Sequence, residues 1–358
     1  MINLSWSNES QNQNAKNIKD KIYEILKNEE ITINFNSERK YNYKLHIYLQ
    51  GSYKKNIDLK DSDIDILVTV ARLPHPNDLE FNDFLENKKW QENYKVGFAD
   101  GNFEIWGNST SSYEILKNLG NRSIYGKTIE TGKQEVTNIL IKLKNEIRKI
   151  LKKSNEFNII ENTEKRKRKG LRIKLNNEEF DIIPSIIYFN VNKDNNLKGI
   201  GITIYDQTKG KRITNYPTYD WENTNLKHKN TDQKYKKIIR IIKGYVRNYN
   251  IDIKGFAIEQ FLYNVPNNIF IKNYELIETL YDVLSWIYTN INLLNANNFK
   301  CTNEIKEKCN EDYKKIEISK QKFKNLVNLM MEDFRKLKFK NISDQNINII
   351  KNKFNSLI

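Results

Sequence analysis

Asp61, Asp63 and Asp65 stand within five residues of the stretch LQGSYKKNIDLKDSDIDILVTV, Leu49 to Val70, in a chain of net charge +15. If a strand begins at Asp63, its side chains alternate faces. Asp63 and Asp65 then share one face, and Ile64, Ile66 and Val68 share the other. Neighbouring carboxylates repel and are costly when half buried. A hard divalent cation relieves that cost, and Mg²⁺ prefers carboxylates together with phosphate oxygens and water. Mn²⁺ is the obvious substitute. A solvated strand entrance, where Asp61 and Ser62 simply turn the chain, accounts for the same acids without a ligand. Gly51 and Ser52 shift the balance towards phosphate, because glycine lets backbone approach closely and serine adds a hydroxyl donor. Asp181 lies between Phe180 and Ile182 in EEFDIIPSI. An acid among apolar neighbours is expensive unless it is paired or liganded. As a third carboxylate it would complete a two-metal site; an acid on an exposed strand edge is the alternative.

These residues need strands to hold them and helices to cover the strands. Tyr43 to Gln50 alternates Leu45, Ile47 and Leu49 with polar positions, which predicts a strand running into Gly51. DIDILVTVA predicts a second, rich in β-branched residues. Ser10 to Glu30 predicts a helix on the spacing of Ile18, Ile22, Ile25 and Leu26, with Ser10 and Gln13 as a capping box. Lys133 to Ser154 predicts another, with Val136, Ile139, Leu140, Leu143, Ile147, Ile150 and Leu151 on its apolar stripe. FNII, LRIKL and FDIIPSIIYF read as strands, and GIGITIYD with KRITNYP as a strand pair around Gln207 to Gly210. Residues 75 to 130, with Trp90 and Trp106, read as loops and short elements. From Asp232 the pattern is helical. The expected fold class is α+β, with residues 1–220 forming a mixed sheet with flanking helices and residues 221–358 an all-helical lobe that closes a nucleotide cleft.

The helix expected over Asp232 to Asn250 carries Tyr235, Ile238, Ile239, Ile242, Tyr245, Val246 and Tyr249 on one face. Lys236, Arg240, Lys243 and Arg247 form a basic stripe, which reads as either a solvated face or an anion site.

Composition removes several function classes. The 358 residues include 60 Lys and Arg against 45 Asp and Glu, so polyanions are attracted. With three His and two Cys, metal sites built on imidazole or thiolate and serine-hydrolase chemistry are poor fits. Cys301 and Cys309 are too few for a disulfide framework and read as incidental. His228 reads as a surface residue. No stretch resembles a signal peptide or a membrane span, which predicts a cytoplasmic protein without a membrane partner.

GSYKKNIDLKDSDIDILV followed by EFDIIPSI resembles the Gly-Ser…Asp-x-Asp…Asp pattern of the polymerase-β-like nucleotidyltransferases. More narrowly it is similar to the bacterial CD-NTases, the cGAS/DncV-like enzymes of CBASS anti-phage systems, which make cyclic oligonucleotide signals. The resemblance continues through YDWENTNLKHKNTDQKYKKIIRIIKGYVRNY and GFAIEQFLYNVPNNIF. It implies that Asp63, Asp65 and Asp181 bind two Mg²⁺ ions and that Gly51 and Ser52 hold the donor triphosphate. It also implies a triphosphate contact from Lys243, with Arg240 second, and a base stacked on Phe256. Many relatives open that last helix with Ser-Tyr, where this chain has Gly255-Phe256. NTPs are the implied substrates and a cyclic-nucleotide-sensing effector the implied downstream partner.

The basic cluster of Lys165, Arg166, Lys167, Arg168 and Lys169, with Lys152 and Lys153 on the preceding helix, is expected to contact the backbone of an RNA or DNA activator. The same carboxylates would also serve a linear-product or RNA-tailing nucleotidyltransferase. A catalytically silent nucleic-acid-binding protein is the reading from another class.

Overall fold

A computed structural model describes residues 9–27, 31–36, 39–43, 45–59, 63–69, 103–105, 129–154, 156–160, 170–175, 178–191 and 197–339. They fall into two compact units. The α/β unit comprises Asn12–Tyr53 and Asp63–Thr218, and the helical unit takes in residues from Tyr219 onward together with 54–59 and 9–11. The architecture is the expected α+β one, a mixed sheet with flanking helices and a C-terminal helical region.

In the α/β unit, β1 (Ile31–Asn36) and β2 (Arg39–Tyr43) form a small antiparallel sheet. The main sheet runs β10 (Lys211–Asn215), β9 (Leu197–Asp206), β8 (Glu178–Val191), β4 (Ile64–Thr69), β3 (His46–Gln50). Off this path, β5 (Phe103–Ile105) and β7 (Leu171–Leu175) pair with β8, and β6 (Asn158–Ile159) pairs with β7. The 14-residue β8 is the hub. Its first part pairs with β7 up to Ile182 and its last part with β9 from Ile186. Between them, residues 183–185 pair, among the described residues, with β4 alone. Pro184, which has no N–H to donate, falls in this one-sided stretch, where a proline does least damage.

Burial alternates only at the start of β4, where Asp65 is partly exposed between buried Ile64 and Ile66; Leu67, Val68 and Thr69 are all buried. Ile64, Ile66 and Val68 of β4 are buried against Ile139, Leu143 and Ile147 of a helix over Ile129–Lys153 (α3; α1 is Glu9–Leu26 and α2 Gly51–Lys55). Ala15, Ile18, Ile22 and Leu26 of α1 join the same core. Asp206 terminates β9 and accepts from the Thr208 hydroxyl at 2.7 Å and the Thr208 N–H at 3.2 Å, which makes the predicted β9–β10 turn.

The helical unit contains α4 (Pro217–Lys229), α5 (Tyr235–Asn248), α6 (Gly255–Tyr263), α7 (Asn267–Ile271), α8 (Leu276–Asn290), α9 (Lys306–Ile316) and α10 (Lys320–Phe339). Its core joins Tyr235, Ile238, Ile242, Phe261, Leu284 and Phe323. Among the described residues no helix is long and apolar enough to cross a membrane.

Several expectations are corrected. Helix α1 runs over Glu9–Leu26, so Ser10 lies within it rather than ahead of it, and the Gln13 amide donates to Asn17 at 3.0 Å. The strand expected over Tyr43 to Gln50 is split, with β2 ending at Tyr43 and β3 starting at His46. Helical structure begins at Pro217 rather than Asp232, because proline is well suited to a first helical position. Tyr249 lies past the end of α5 and is exposed, stacked on Tyr245 and bonded to Asp333. Cys301 and Cys309 are not incidental: they are buried and joined in a disulfide. Trp90, Trp106 and the basic run Lys165 to Lys169 lie outside the described residues.

Candidate active site

The sheet register builds a polar row. Gln50 of β3 is paired with Asp65 of β4, Asp65 with Asp181 of β8, and Asp181 with Arg172 of β7. Side chains in register on adjacent strands share a face. Four strands thus place Gln50, Asp65, Asp181 and Arg172 side by side, with Asp63 at the entrance of β4. The opposite face of β4 is core, which pins this register: a slip by one residue would bury the aspartates and expose Ile64, Ile66 and Val68.

Arg172 is the main counter-charge. Its Nη2 donates to Asp63 at 3.0 Å and to Glu179 at 3.1 Å, and its Nη1 lies 3.3 Å from Asp181. The Arg172 side chain is 8 % exposed, whereas Asp63 is 64 % exposed and Asp181 33 %. Burial lowers the guanidinium's proton affinity, but the bond to Asp63 and the charges of Asp181 and Asp63 outweigh it and hold the group above its ordinary value. Among the described residues no three Asp, Glu, His or Cys side chains converge closely enough to hold a metal ion in this arrangement. The donor set itself, carboxylates only on neighbouring strands, fits a hard divalent cation in kind and in backbone placement.

Gly51 follows Gln50 directly and opens α2 with φ +66°. A Cβ at this position would lie 2.6 Å from Asp65 Oδ2. Glycine is therefore required twice, for its backbone conformation and for the space the Asp65 carboxylate fills. Ser52 sits half-buried in the same turn.

In the helical unit the basic stripe of α5 is withdrawn from solvent over Lys236, Arg240 and Lys243, whereas Arg247 at its end is exposed. Lys236 is buried, bonds Asn225 at 2.5 Å, and is pushed down to about 8 by burial and by the charges of Arg240 and Lys55. Arg240 is half-buried; burial lowers its value and the charge of buried Asp58 opposes the change. Lys243 donates to Glu259 at 2.8 Å and to the Ile57 carbonyl at 3.3 Å. Lys55 donates to the other oxygen of Glu259 at 2.9 Å. Burial alone would raise Glu259, but the charges of Lys243 and Lys55 hold it at about 2. Phe256 is half-buried and packs in part against the helical core. His228 is not a surface residue: it is half-buried, its Nδ1 accepts the Lys236 backbone N–H at 3.3 Å, and burial and nearby cations push it down to about 4. Lys152 and Lys153 are exposed in the last turn of α3.

Two participants were missed by sequence reasoning although both left a signal. Arg172 lies in LRIKL on the face opposite Leu171, Ile173 and Leu175, next to the strand that carries Asp181. Glu259 interrupts the apolar run FAIEQFL, and the reasoning applied to Asp181 picks it out equally well.

Residues 30–118 match the nucleotidyltransferase domain, which sets the class of protein. Residues 222–335 match the cGAS/DncV-like nucleotidyltransferase C-terminal helical domain. Over 290 residues, 76 % of this chain and 72 % of the relative, the sequence is 30 % identical to the cyclic GMP-AMP synthase CdnE03 of Staphylococcus schleiferi. It is 27 % identical over 313 residues, 84 % of this chain and 86 % of the relative, to the cyclic nucleotide synthase CdnE01 of Staphylococcus haemolyticus. The fold is similar to that of a STING-associated CdnE c-di-GMP synthase from Flavobacteriaceae sp., with TM-score 0.50 at 18 % identity, covering 90 % of this chain and 83 % of that one. The chain belongs to the cGAS/DncV-like nucleotidyltransferases, the CD-NTases.

Proposed function

We propose that this nucleotidyltransferase joins NTPs into a cyclic di- or oligonucleotide in a Mg²⁺-dependent reaction. The observation that carries the reading is the in-register pair of Asp65 and Asp181, with Asp63 at its end and Gly51 packed on Asp65. The names of its relatives, cyclic GMP-AMP synthase and cyclic nucleotide synthase, support ring closure as the outcome.

The reaction is attack by a 2′- or 3′-hydroxyl oxygen of one nucleotide on the α-phosphorus of an NTP. A new P–O bond forms, the bond to pyrophosphate breaks, and the hydroxyl proton passes to the Asp181 carboxylate. Asp63, Asp65 and Asp181 would hold the two Mg²⁺ ions. When bound, these ions lower the hydroxyl's pKa and neutralise charge on the departing oxygens. Gly51 and Ser52 would offer N–H and hydroxyl donors to the donor triphosphate; in the helical unit, Lys243 would offer a cationic donor to a triphosphate. Arg172 compensates the carboxylates between turnovers. Positioning and electrostatics supply most of the acceleration in such chemistry.

The cyclic product would act on a nucleotide-sensing effector in anti-phage defence, inside the cell. A polyanionic activator, RNA or DNA, would be held by Lys152 and Lys153 together with the basic run of the sequence from Lys165 to Lys169. The deciding experiment incubates purified protein with labelled NTPs and Mg²⁺, with and without RNA or DNA, and treats the products with phosphatase. A phosphatase-resistant labelled product is expected. A phosphatase-sensitive oligomer marks a linear-product enzyme, and an absence of any product under all conditions overturns the reading.

A further inference from the structure

We propose that Glu259 is a positioning residue: clamped between Lys55 and Lys243, its carboxylate holds the Lys243 ammonium in the space left by the missing side chain of Gly255, aimed at a nucleoside triphosphate. This rests on the nucleotidyl-transfer reading above and adds to it a residue that touches no substrate.

The carboxylate itself is immobilised. Glu259 is 7 % exposed on α6, between the core residues Ile258 and Phe261. Its backbone carbonyl accepts the Tyr235 hydroxyl at 3.1 Å. The next residue, Gln260, donates to the Thr302 hydroxyl at 2.9 Å and accepts the Thr302 N–H at 3.0 Å. Each oxygen of Glu259 then takes one lysine, Oε1 from Lys243 and Oε2 from Lys55. One carboxylate needs one ammonium for neutrality, and a buried ion pair is a poor source of stability compared with apolar packing.

Lys243 spends two of its three N–H bonds on Glu259 and the Ile57 carbonyl. Its tip lies over Gly255: a Cβ there would sit 3.1 Å from Lys243 Cε and 3.4 Å from Nζ. At Gly255 the side-chain position is empty, with an ammonium beside it. The third N–H offers a charge-assisted bond to a phosphate oxygen, stronger than one between neutral groups.

The test is a double-mutant cycle with Glu259→Gln, Lys243→Met and the pair. It is read by calorimetric binding of each of the four NTPs, and by KM and kcat with the labelled substrates. Glu259→Gln is expected to raise Kd and KM by about ten- to a hundredfold while kcat changes less. Adding Glu259→Gln to Lys243→Met is expected to cost little more than Lys243→Met alone. Additive losses, or a Glu259→Gln protein that melts lower yet binds NTPs as the wild type does, overturn the proposal and leave nucleotidyl transfer standing. Wild-type protein that binds no NTP overturns both. Should Glu259→Gln not fold, Gly255→Val intrudes on the Lys243 tip while leaving Glu259 and Lys55 themselves unchanged. It is expected to raise KM similarly, and a wild-type KM sinks the idea.

Discussion

Asp65 and Asp181 stand opposite each other, in register, on the parallel strands β4 and β8, and among the described residues this is the one parallel pairing of the sheet. A hairpin would have joined two neighbouring segments. The parallel pairing instead brings together carboxylates 116 positions apart, because the long crossover through α3 returns the chain in the same direction.

From that pairing, Asp65→Asn is expected to abolish product formation while leaving the fold intact. If Asp65 ligates a metal as proposed, losing its charge removes several kcal/mol of transition-state stabilisation, roughly a thousandfold or more in rate. Repulsion towards Asp181 falls at the same time, so the melting temperature is expected to hold or rise. Product assay and thermal melting on the same sample check this; near-wild-type turnover removes Asp65 from the mechanism.

Gly51→Ala is expected to cost both stability and activity. The left-handed backbone penalises any Cβ, by about 1–3 kcal/mol for a strained residue. The 2.6 Å approach to Asp65 Oδ2 forces the carboxylate to turn away. Denaturant unfolding measures the first effect and NTP turnover the second. A Gly51→Ala protein of unchanged stability would show that the carboxylate and backbone yield freely.

Cys301 and Cys309 close a short loop, with sequence separation 8, that carries Thr302, the partner of Gln260. Opening a loop of this size is expected to cost about 2–3 kcal/mol. Dithiothreitol should therefore lower the melting temperature by several degrees, and Cys301→Ser with Cys309→Ser should remove the response to reductant. Identical melts with and without reductant would mean that the thiols remain unpaired in solution.

His228 makes stability depend on pH. Its folded value, about 4, lies below the ordinary 6.5, so the unfolded chain takes up the proton first as pH falls. The neutral form, whose Nδ1 accepts the Lys236 N–H, contributes fully above pH 6.5, and that contribution is lost as pH drops from 6.5 through about 4. His228→Gln keeps an acceptor without the charge. It should melt like the wild type at pH 8 and higher than the wild type at pH 5, as followed by circular dichroism.

The sequence by itself determined the pieces whose signal is periodic or local. Alternation in DIDILV put Asp63 and Asp65 on one face and a core on the other. The 3.6-residue stripes of α3 and α5 marked their buried sides. Strand length and turn chemistry located β7, β8 and the β9–β10 hairpin. Tertiary structure decided what meets across distance. Which strand lies beside which set Asp65 opposite Asp181 and brought Arg172 alongside. The packing of α5 against α6 converted a basic stripe, which by composition could equally be solvated, into Lys243 clamped on Glu259. It also left Tyr249 outside a face whose spacing had included it. Periodicity reports which side of an element is buried, because burial is a property of one element against its surroundings. It carries no information about the partner, because a carboxylate's counter-charge is chosen by the geometry of the whole chain.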